Sequence, residues 1–306
     1  MCTRIIGTGS YIPKKVITND DLSLTLDTSD AWISTRTGIH NRHIAEGMTS
    51  SDMAYMAARR AVDDSGLNPA DIDVIIVATS SPDYAFPSTA ALVQAKLEAV
   101  NAACFDISAA CTGFIYAYSI AQGYIAGGMY KNILIIGTEV MSEHVDWKDR
   151  SVCVLFGDGA GAAMLTADKD NLSSVMIHSD GSRGNVLTCG KDNIFMDGQE
   201  VFKFAVKTVP MSIQDILNKE HIRADDVGMY ILHQANQRII QAVSKRLGIS
   251  MGKFPMNMQE YGNTSAASIP ILLDELNRNN RLVRDELIVM SGFGAGLSWG
   301  SIVLNW

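Results

Sequence analysis

The chain has 306 residues, 47% hydrophobic and 19% charged, with a formal net charge of −8. That is enough chain for one large domain or two intimately packed ones around a sizeable core. The acidic balance excludes a nucleic-acid binder held by a broad basic surface. No apolar run reaches the roughly 18 residues of a membrane helix, and five scattered cysteines without a C-x-x-C pair suggest neither a zinc site nor a disulfide framework.

The N-terminal MCTRIIGTGSYIP has no charged-then-apolar signal pattern. It reads as a strand entering a turn and predicts a cytoplasmic protein. Next come short apolar runs rich in β-branched residues: DVIIVAT (73–79), CFDIS (104–108), NILIIGT (132–138), MYILH (229–233) and ELIVMS (286–291). Such runs read as buried strands. Segments 51–65, 88–99, 112–126, 237–247 and 266–279 have helical spacing between them. Strands alternating with helices predict an α/β fold with parallel pairing.

The element order repeats. DVIIVAT, a helix, CFDIS, a helix opening at SAACTGF, NILIIGT, the turn FGDGAG and a strand make the first series. MYILH, a helix, FPMN, a helix opening at GNTSAAS, ELIVMS, the turn GFGAG and a strand make the second. This predicts duplicated βαβαβαββ halves, residues 1–170 and 171–306, with ligands near the carboxyl ends of their strands. Both glycine-rich turns, 157–161 and 292–296, lead into strands. A dinucleotide fingerprint needs a helix there, so they read as tight connections.

Cys111 in DISAACTGF stands where a strand ends and a helix begins. The positive end of a helix dipole lowers a thiol's pKa, and small neighbours let a substrate approach. The local pattern fits a buried structural cysteine equally well. His233 ends MYILH, a position where sites form, although a lone histidine there is more often a satisfied structural one. Asn263, before the second helix start, is by itself an ordinary cap or turn former. If the halves pack about a pseudo-twofold axis, the two helix starts face each other with His233 beside them.

At this point DISAACTGF, HQANQRI, GNTSAAS and GFGAGLSWGS resemble the signature segments of the β-ketoacyl-acyl carrier protein synthase III family. The resemblance covers essentially the whole chain. It implies a thiolase-like fold, layered α-β-α-β-α. It also implies an acyltransferase that joins a short acyl-CoA primer, acetyl-CoA first among the candidates, to malonyl-acyl carrier protein and so initiates fatty acid synthesis. Elongating synthases on this scaffold pair the cysteine with two histidines, and thiolases with a histidine and a second cysteine. The set Cys111, His233 and Asn263 points to the initiating class.

The resemblance assigns further residues. The backbone N–H groups of Cys111 and Ala295 form an oxyanion hole. Trp32 and Arg150 sandwich the adenine of CoA; Thr28, Arg36, Gly198 and Asn236 line the rest of its path. Arg238, Lys245, Arg246 and Lys203 dock the acidic acyl carrier protein. Phe86, Leu155, Ile194 and Phe202 shape the acyl pocket, Phe86 from the partner of a homodimer. Read without the family, Trp32 is a surface anchor, Arg36 a solvated loop charge, Phe86 a core aromatic and the basic cluster a solvated helix face. No metal, tightly bound cofactor, nucleic acid or membrane is expected; acyl-CoA is a substrate. The main alternative is a related acyltransferase or condensing enzyme of secondary metabolism with another acyl-CoA or acceptor. A non-catalytic protein of the same fold is a second, against which the intact triad argues. The residue names leave the primer open.

Overall fold

The computed structural model describes residues 2–190 and 193–306. Two sheets organise them. The first contains β1 (Cys2–Tyr11), β2 (Val74–Ala78), β3 (Ala103–Ile107), β4 (Asn132–Glu139) and β5 (Gly159–Asp168), in the order β1-β5-β4-β2-β3. The second contains β6 (Ser173–Ser179), β7 (Met229–Leu232), β8 (Leu287–Gly294) and β9 (Ser298–Asn305), in the order β7-β8-β9-β6. β2 runs parallel to both β3 and β4, and β7 runs parallel to β8, while the remaining ladders are antiparallel.

Seven longer helices complete the fold: α1 (Asp30–Thr37), α2 (Ser50–Ser65), α3 (Thr89–Leu97), α4 (Gly113–Ala126), α5 (Gly198–Lys219), α6 (Gln237–Leu247) and α7 (Ser268–Arg278). α4 and α7 lie between the sheets. Phe114, Tyr118 and Ile125 of α4 and Leu272 and Leu276 of α7 share one core with Ile76 and Ile135 of the first sheet and Ile288 and Ile302 of the second. A helix covered from both sides has little use for a polar face, hence GFIYAYSIAQGYIA for α4. α2 and α3 cover the outside of the first sheet, and α5 and α6 cover the outside of the second. The layers are therefore α-β-α-β-α, a thiolase-like fold.

Apart from FPMN, each predicted strand and helix forms within a few residues of its expected range. Two differences have physical causes. FPMN, the expected counterpart of β3, joins no sheet. Pro255 has no N–H to give a ladder, so the segment stays irregular, anchored by buried Phe254 and by the Asn257 N–H on Gln234 Oε1 at 3.1 Å. α5, not anticipated, continues through Pro210, a residue that normally breaks helices. Its buried face, including Val201, Phe204, Val209, Ile213 and Ile216, holds it on β8 and β9. Tertiary burial outweighs the local penalty.

Because Phe114 is fully buried and shared by both sheets, Phe114→Ala should lower stability by about 3–5 kcal/mol. The shift in urea unfolding midpoint measures it.

Candidate active site

Two tight turns meet between the sheets. In the first, Ala110, Cys111 and Thr112 form one 3-10 turn before α4; in the second, Ser265, Ala266 and Ala267 form the same turn before α7. Ala110 has φ +44° and Ser265 φ +49°, the left-handed region that costs a residue with a side chain about 1–2 kcal/mol. The matching strain sharpens the symmetry expected from the sequence. Cys111 corresponds to Ala266, and Asn263 stands three residues earlier on its own side.

The first turn is clamped from three directions. A Cβ on Gly113 would lie 2.8 Å from the Ala78 Cβ, and one on Gly294 would lie 2.9 Å from the Cys111 nitrogen, so only glycine permits these approaches. Thr112 Oγ1 lies 2.8 Å from Ser298 Oγ, and Ser298 Oγ–H donates to Ala295 O at 2.9 Å. The β8–β9 turn is thereby held over Cys111. No backbone acceptor takes the Ala295 N–H or the Cys111 N–H among the described residues.

The second turn reaches all three candidate catalytic side chains. The Cys111 thiol donates to Ser265 Oγ at 3.4 Å. The Ser265 backbone N–H donates to Asn263 Oδ1 at 2.9 Å. An N–H can only donate, so this contact fixes the amide and leaves its NH2 group, unpartnered among the described residues, as the donor. Asn263 is also gripped by its backbone: its N–H donates to Leu155 O at 2.8 Å, and the Gly157 N–H donates to its carbonyl at 3.1 Å.

His233 is held just beyond β7 by its N–H on Ser291 O at 2.9 Å, with its ring edge-on to Phe293 at 5.4 Å. Its Nδ1 lies 2.6 Å from Ser268 Oγ, and the same oxygen accepts the Gln234 N–H at 3.3 Å. The Ser268 hydroxyl has no other acceptor among the described residues, so its proton goes to Nδ1. The neutral ring then carries its own proton on Nε2, free to donate. Burial favours the neutral form and pushes the pKa down to about 3.

The place of the thiol before α4 favours the thiolate, but burial outweighs it and pushes the pKa up to about 12, partly opposed by the bond to Ser265. Cys111 rests as a thiol. Ser265, Ser268 and Glu139, which ends β4 with its carboxylate bonded to Ser265, were missed by sequence reasoning. The signals were present in the polar strand end TE (138–139) and in hydroxyls three apart in SAAS (265–268).

The remaining candidates fall into separate groups. Arg36 and Arg150 both stack on Trp32, with Cζ atoms 4.5 and 5.1 Å from its ring centre. Arg150 is tethered to the Asp27 backbone carbonyl and pairs with its carboxylate. Thr28 Oγ1 is buried without a hydrogen-bond partner. Asn236 caps α6 through Oδ1 and donates to Arg36 O at 3.1 Å, joining α6 to the end of α1. Gly198 opens α5 at the surface.

Arg238 is exposed and stacks on Phe202 at 5.4 Å, which puts Phe202 beside the basic helix. Lys245 lies two turns along the same face of α6, and Arg246 donates to Val206 O at 2.7 Å. Lys203 is paired with Glu200 at 2.8 Å and lines a cleft of about 620 Å³ with Arg183 and Trp299, away from the triad. Leu155 touches Asn263 through its carbonyl, and Ile194 is buried against Met141 and Phe156. Phe86 is 86% exposed, so within one chain it lines nothing. No described helix is long and apolar enough to cross a membrane.

Solved structures share the fold. The 3-oxoacyl-[acyl-carrier-protein] synthase III of Aquifex aeolicus superposes with a TM-score of 0.98 at 48% identity, covering 99% of this chain and 100% of its own. The Pseudomonas aeruginosa enzyme gives 0.96 at 39% identity, covering 100% and 98%. The shared fold defines a thiolase-fold condensing enzyme. The model of the 3-oxoacyl-[acyl-carrier-protein] synthase III family matches residues 105–181, its C-terminal counterpart matches 217–306, and the β-ketoacyl-[acyl-carrier-protein] synthase III of Clostridium acetobutylicum is 48% identical over 99% of this chain and 98% of its own. The chain belongs to the 3-oxoacyl-[acyl-carrier-protein] synthase III family of acyltransferases.

Because the folded pKa of His233 lies below its unfolded value of 6.5, its neutral burial stabilises the fold above that value. The contribution is lost as pH falls from 6.5 toward 3. The urea midpoint should therefore fall between pH 7 and 5, and His233→Gln should lose less over the same range.

Proposed function

We propose that this chain condenses a short acyl-CoA, acetyl-CoA first among the candidates, with malonyl-acyl carrier protein, releasing carbon dioxide and CoA and initiating fatty acid synthesis. One observation carries the reading: the single segment 263–268 bonds to Cys111 through Ser265, supplies Asn263 and holds His233 through Ser268. Nucleophile and donors are thus parts of one rigid unit.

Cys111 attacks the thioester carbonyl of acyl-CoA and becomes acylated. The tetrahedral oxyanion needs preorganised donors, and the free N–H groups of Cys111 and Ala295 suit that role. Loss of carbon dioxide from the malonyl group then leaves an enolate on the thioester oxygen. Nε2–H of neutral His233 and the NH2 of Asn263 donate to it. Asparagine cannot take up a proton, so it serves as a stabiliser and not as a base. The enolate carbon attacks acyl-Cys111 and yields a 3-oxoacyl carrier protein. Simple acyl transfer has less need of Asn263, which favours condensation over the transfer alternative.

Acyl-CoA is a substrate here, and no tightly bound cofactor takes part. Trp32, Arg36 and Arg150 already form an aromatic platform flanked by cations, suited to an adenine and its phosphates. Thr28 stands near the nucleotide, while Asn236 and Gly198 stand along the pantetheine path. Arg238, Lys245 and Arg246 offer a local positive face to the acidic carrier protein, with paired Lys203 contributing less. Leu155 and Ile194 line the acyl pocket with Phe202 nearer its entrance. Exposed Phe86 completes the pocket of a partner in a cytoplasmic homodimer.

Incubation with acetyl-CoA and malonyl carrier protein should give acetoacetyl carrier protein, with an acetyl adduct on Cys111 by mass spectrometry. Cys111→Ala should abolish both, and full retention of condensation sinks the reading. Asn263→Ala should still accept the acetyl group but lose malonyl decarboxylation by about 100-fold or more. Separately, Arg238→Glu should raise KM for malonyl carrier protein about tenfold at low salt. The difference should shrink as ionic strength rises in steady-state assays.

A further inference from the structure

Beneath Cys111 lies a buried acid that the reaction above does not use. Glu139, at the end of β4, has no exposed surface and forms no ion pair among the described residues. Its Oε2 accepts from Ser81 Oγ at 2.7 Å, the Ser80 N–H at 3.0 Å and Thr79 Oγ1 at 3.4 Å. Its Oε1 accepts from Ser265 Oγ at 3.0 Å. Every neighbour within bonding range presents a donor to it.

The hydroxyl between Glu139 and Cys111 has a direction. A carboxylate only accepts, so Ser265 gives it its single proton and turns lone pairs toward the Cys111 S–H. Cys111 to Ser265 to Glu139 is therefore an unbroken line of donors, each pointing at the next acceptor, with lengths of 3.4 and 3.0 Å. Ser81 is fixed in the same sense, accepting from the Val140 N–H at 2.8 Å and donating to Glu139.

Resting on the condensation reading, we infer that Glu139 takes up the Cys111 thiol proton through Ser265 during acylation and returns it when Cys111 is released. Glu139 acts through another side chain and is a positioning residue for the nucleophile's proton.

The proton account closes. In acylation the S–H proton moves to Ser265 Oγ as the Ser265 proton moves to Glu139. The Cys111 thiolate forms a bond to the acyl carbon, and the carbon–sulfur bond to CoA breaks. CoA leaves as a thiolate and takes its proton from water. In condensation the malonyl carboxylate departs as carbon dioxide, and the enolate forms the new carbon–carbon bond. Cys111 leaves as thiolate, and Glu139 reprotonates it through Ser265. One solvent proton is consumed per cycle, as the conversion of a malonyl carboxylate to carbon dioxide requires.

The titration environment suits the task. Burial raises Glu139 to about 7, opposed by the bonds from Ser81, Ser80 and Ser265. A resting thiol at about 12 needs a base, and His233, depressed to about 3, is poorly suited to hold a proton. The groups bonded to Glu139 are the neutral Thr79, Ser80 and Ser81 after β2 and Ser265 before α7, and its charge raises the thiols of Cys111 and Cys189. No lysine, arginine or histidine pairs with it among the described residues.

The test uses the full-length enzyme and two variants, Glu139→Gln and Ser265→Ala, the second removing only a hydroxyl. Alkylation of Cys111 by iodoacetamide, followed by mass spectrometry from pH 5.5 to 9.5, needs no substrate. Wild type should show a rise centred near pH 7; both variants should lose that rise and react about 100-fold more slowly at neutral pH. Acetylation from acetyl-CoA, measured by rapid quench, should fall by a similar factor, with the double variant no slower than either single one. If either folded variant keeps the wild-type pH profile, or if rates fall equally at every pH, the relay is overturned and the carboxylate is structural. A wild type that alkylates as described but takes no acyl group from any acyl-CoA would sink the condensation reading and leave the relay standing.

Discussion

Ala110 and Ser265, both forced into left-handed backbone conformation, press the starts of α4 and α7 against each other. Neither turn is favourable locally. Each persists because the surrounding sheets and glycines over-determine it, as strain at functional sites generally requires. From that contact follow the Cys111–Ser265 bond, the orientation of Asn263 and, one turn further on, the grip of Ser268 on His233. Relaxing either turn would disperse the site without removing any of its side chains.

The layered fold explains why such strain is tolerated. α4 and α7 are buried by both sheets, so their starts cannot drift without disturbing a core that includes Phe114, Tyr118 and Leu272. Two helix starts are thereby presented to one space. One side of it holds a thiol and a buried carboxyl, and the other holds Asn263 and His233. Low dielectric makes each of these groups more effective and also explains their shifted titration, with the thiol and carboxyl pushed up and the imidazole pushed down.

Outside this centre the molecule is softer. The stack of Arg36, Trp32 and Arg150 lies on a partly exposed surface, and the basic face of α6 is solvated. Their worth depends on what approaches them, whereas the centre is assembled in advance. Phe86 is the extreme case, with no partner surface in its own chain.

The sequence by itself determined the alternation of buried strands and helices and the segments that carry Cys111, His233 and Asn263. Each depends on short-range pattern: β-branched runs, helical spacing and small residues at tight turns. α5 escaped because Pro210 contradicts its local pattern, and FPMN was read as a strand although Pro255 cannot pair. What only the tertiary structure decided is how the groups act on one another. That Cys111 rests as a thiol follows from burial, which no local motif records. That Asn263 offers its NH2, that His233 offers Nε2, and that Ser265 leads from Cys111 to Glu139 all depend on bonds between residues up to 154 positions apart. Such contacts are set by how two sheets close on two helices, and spacing along the chain does not encode them.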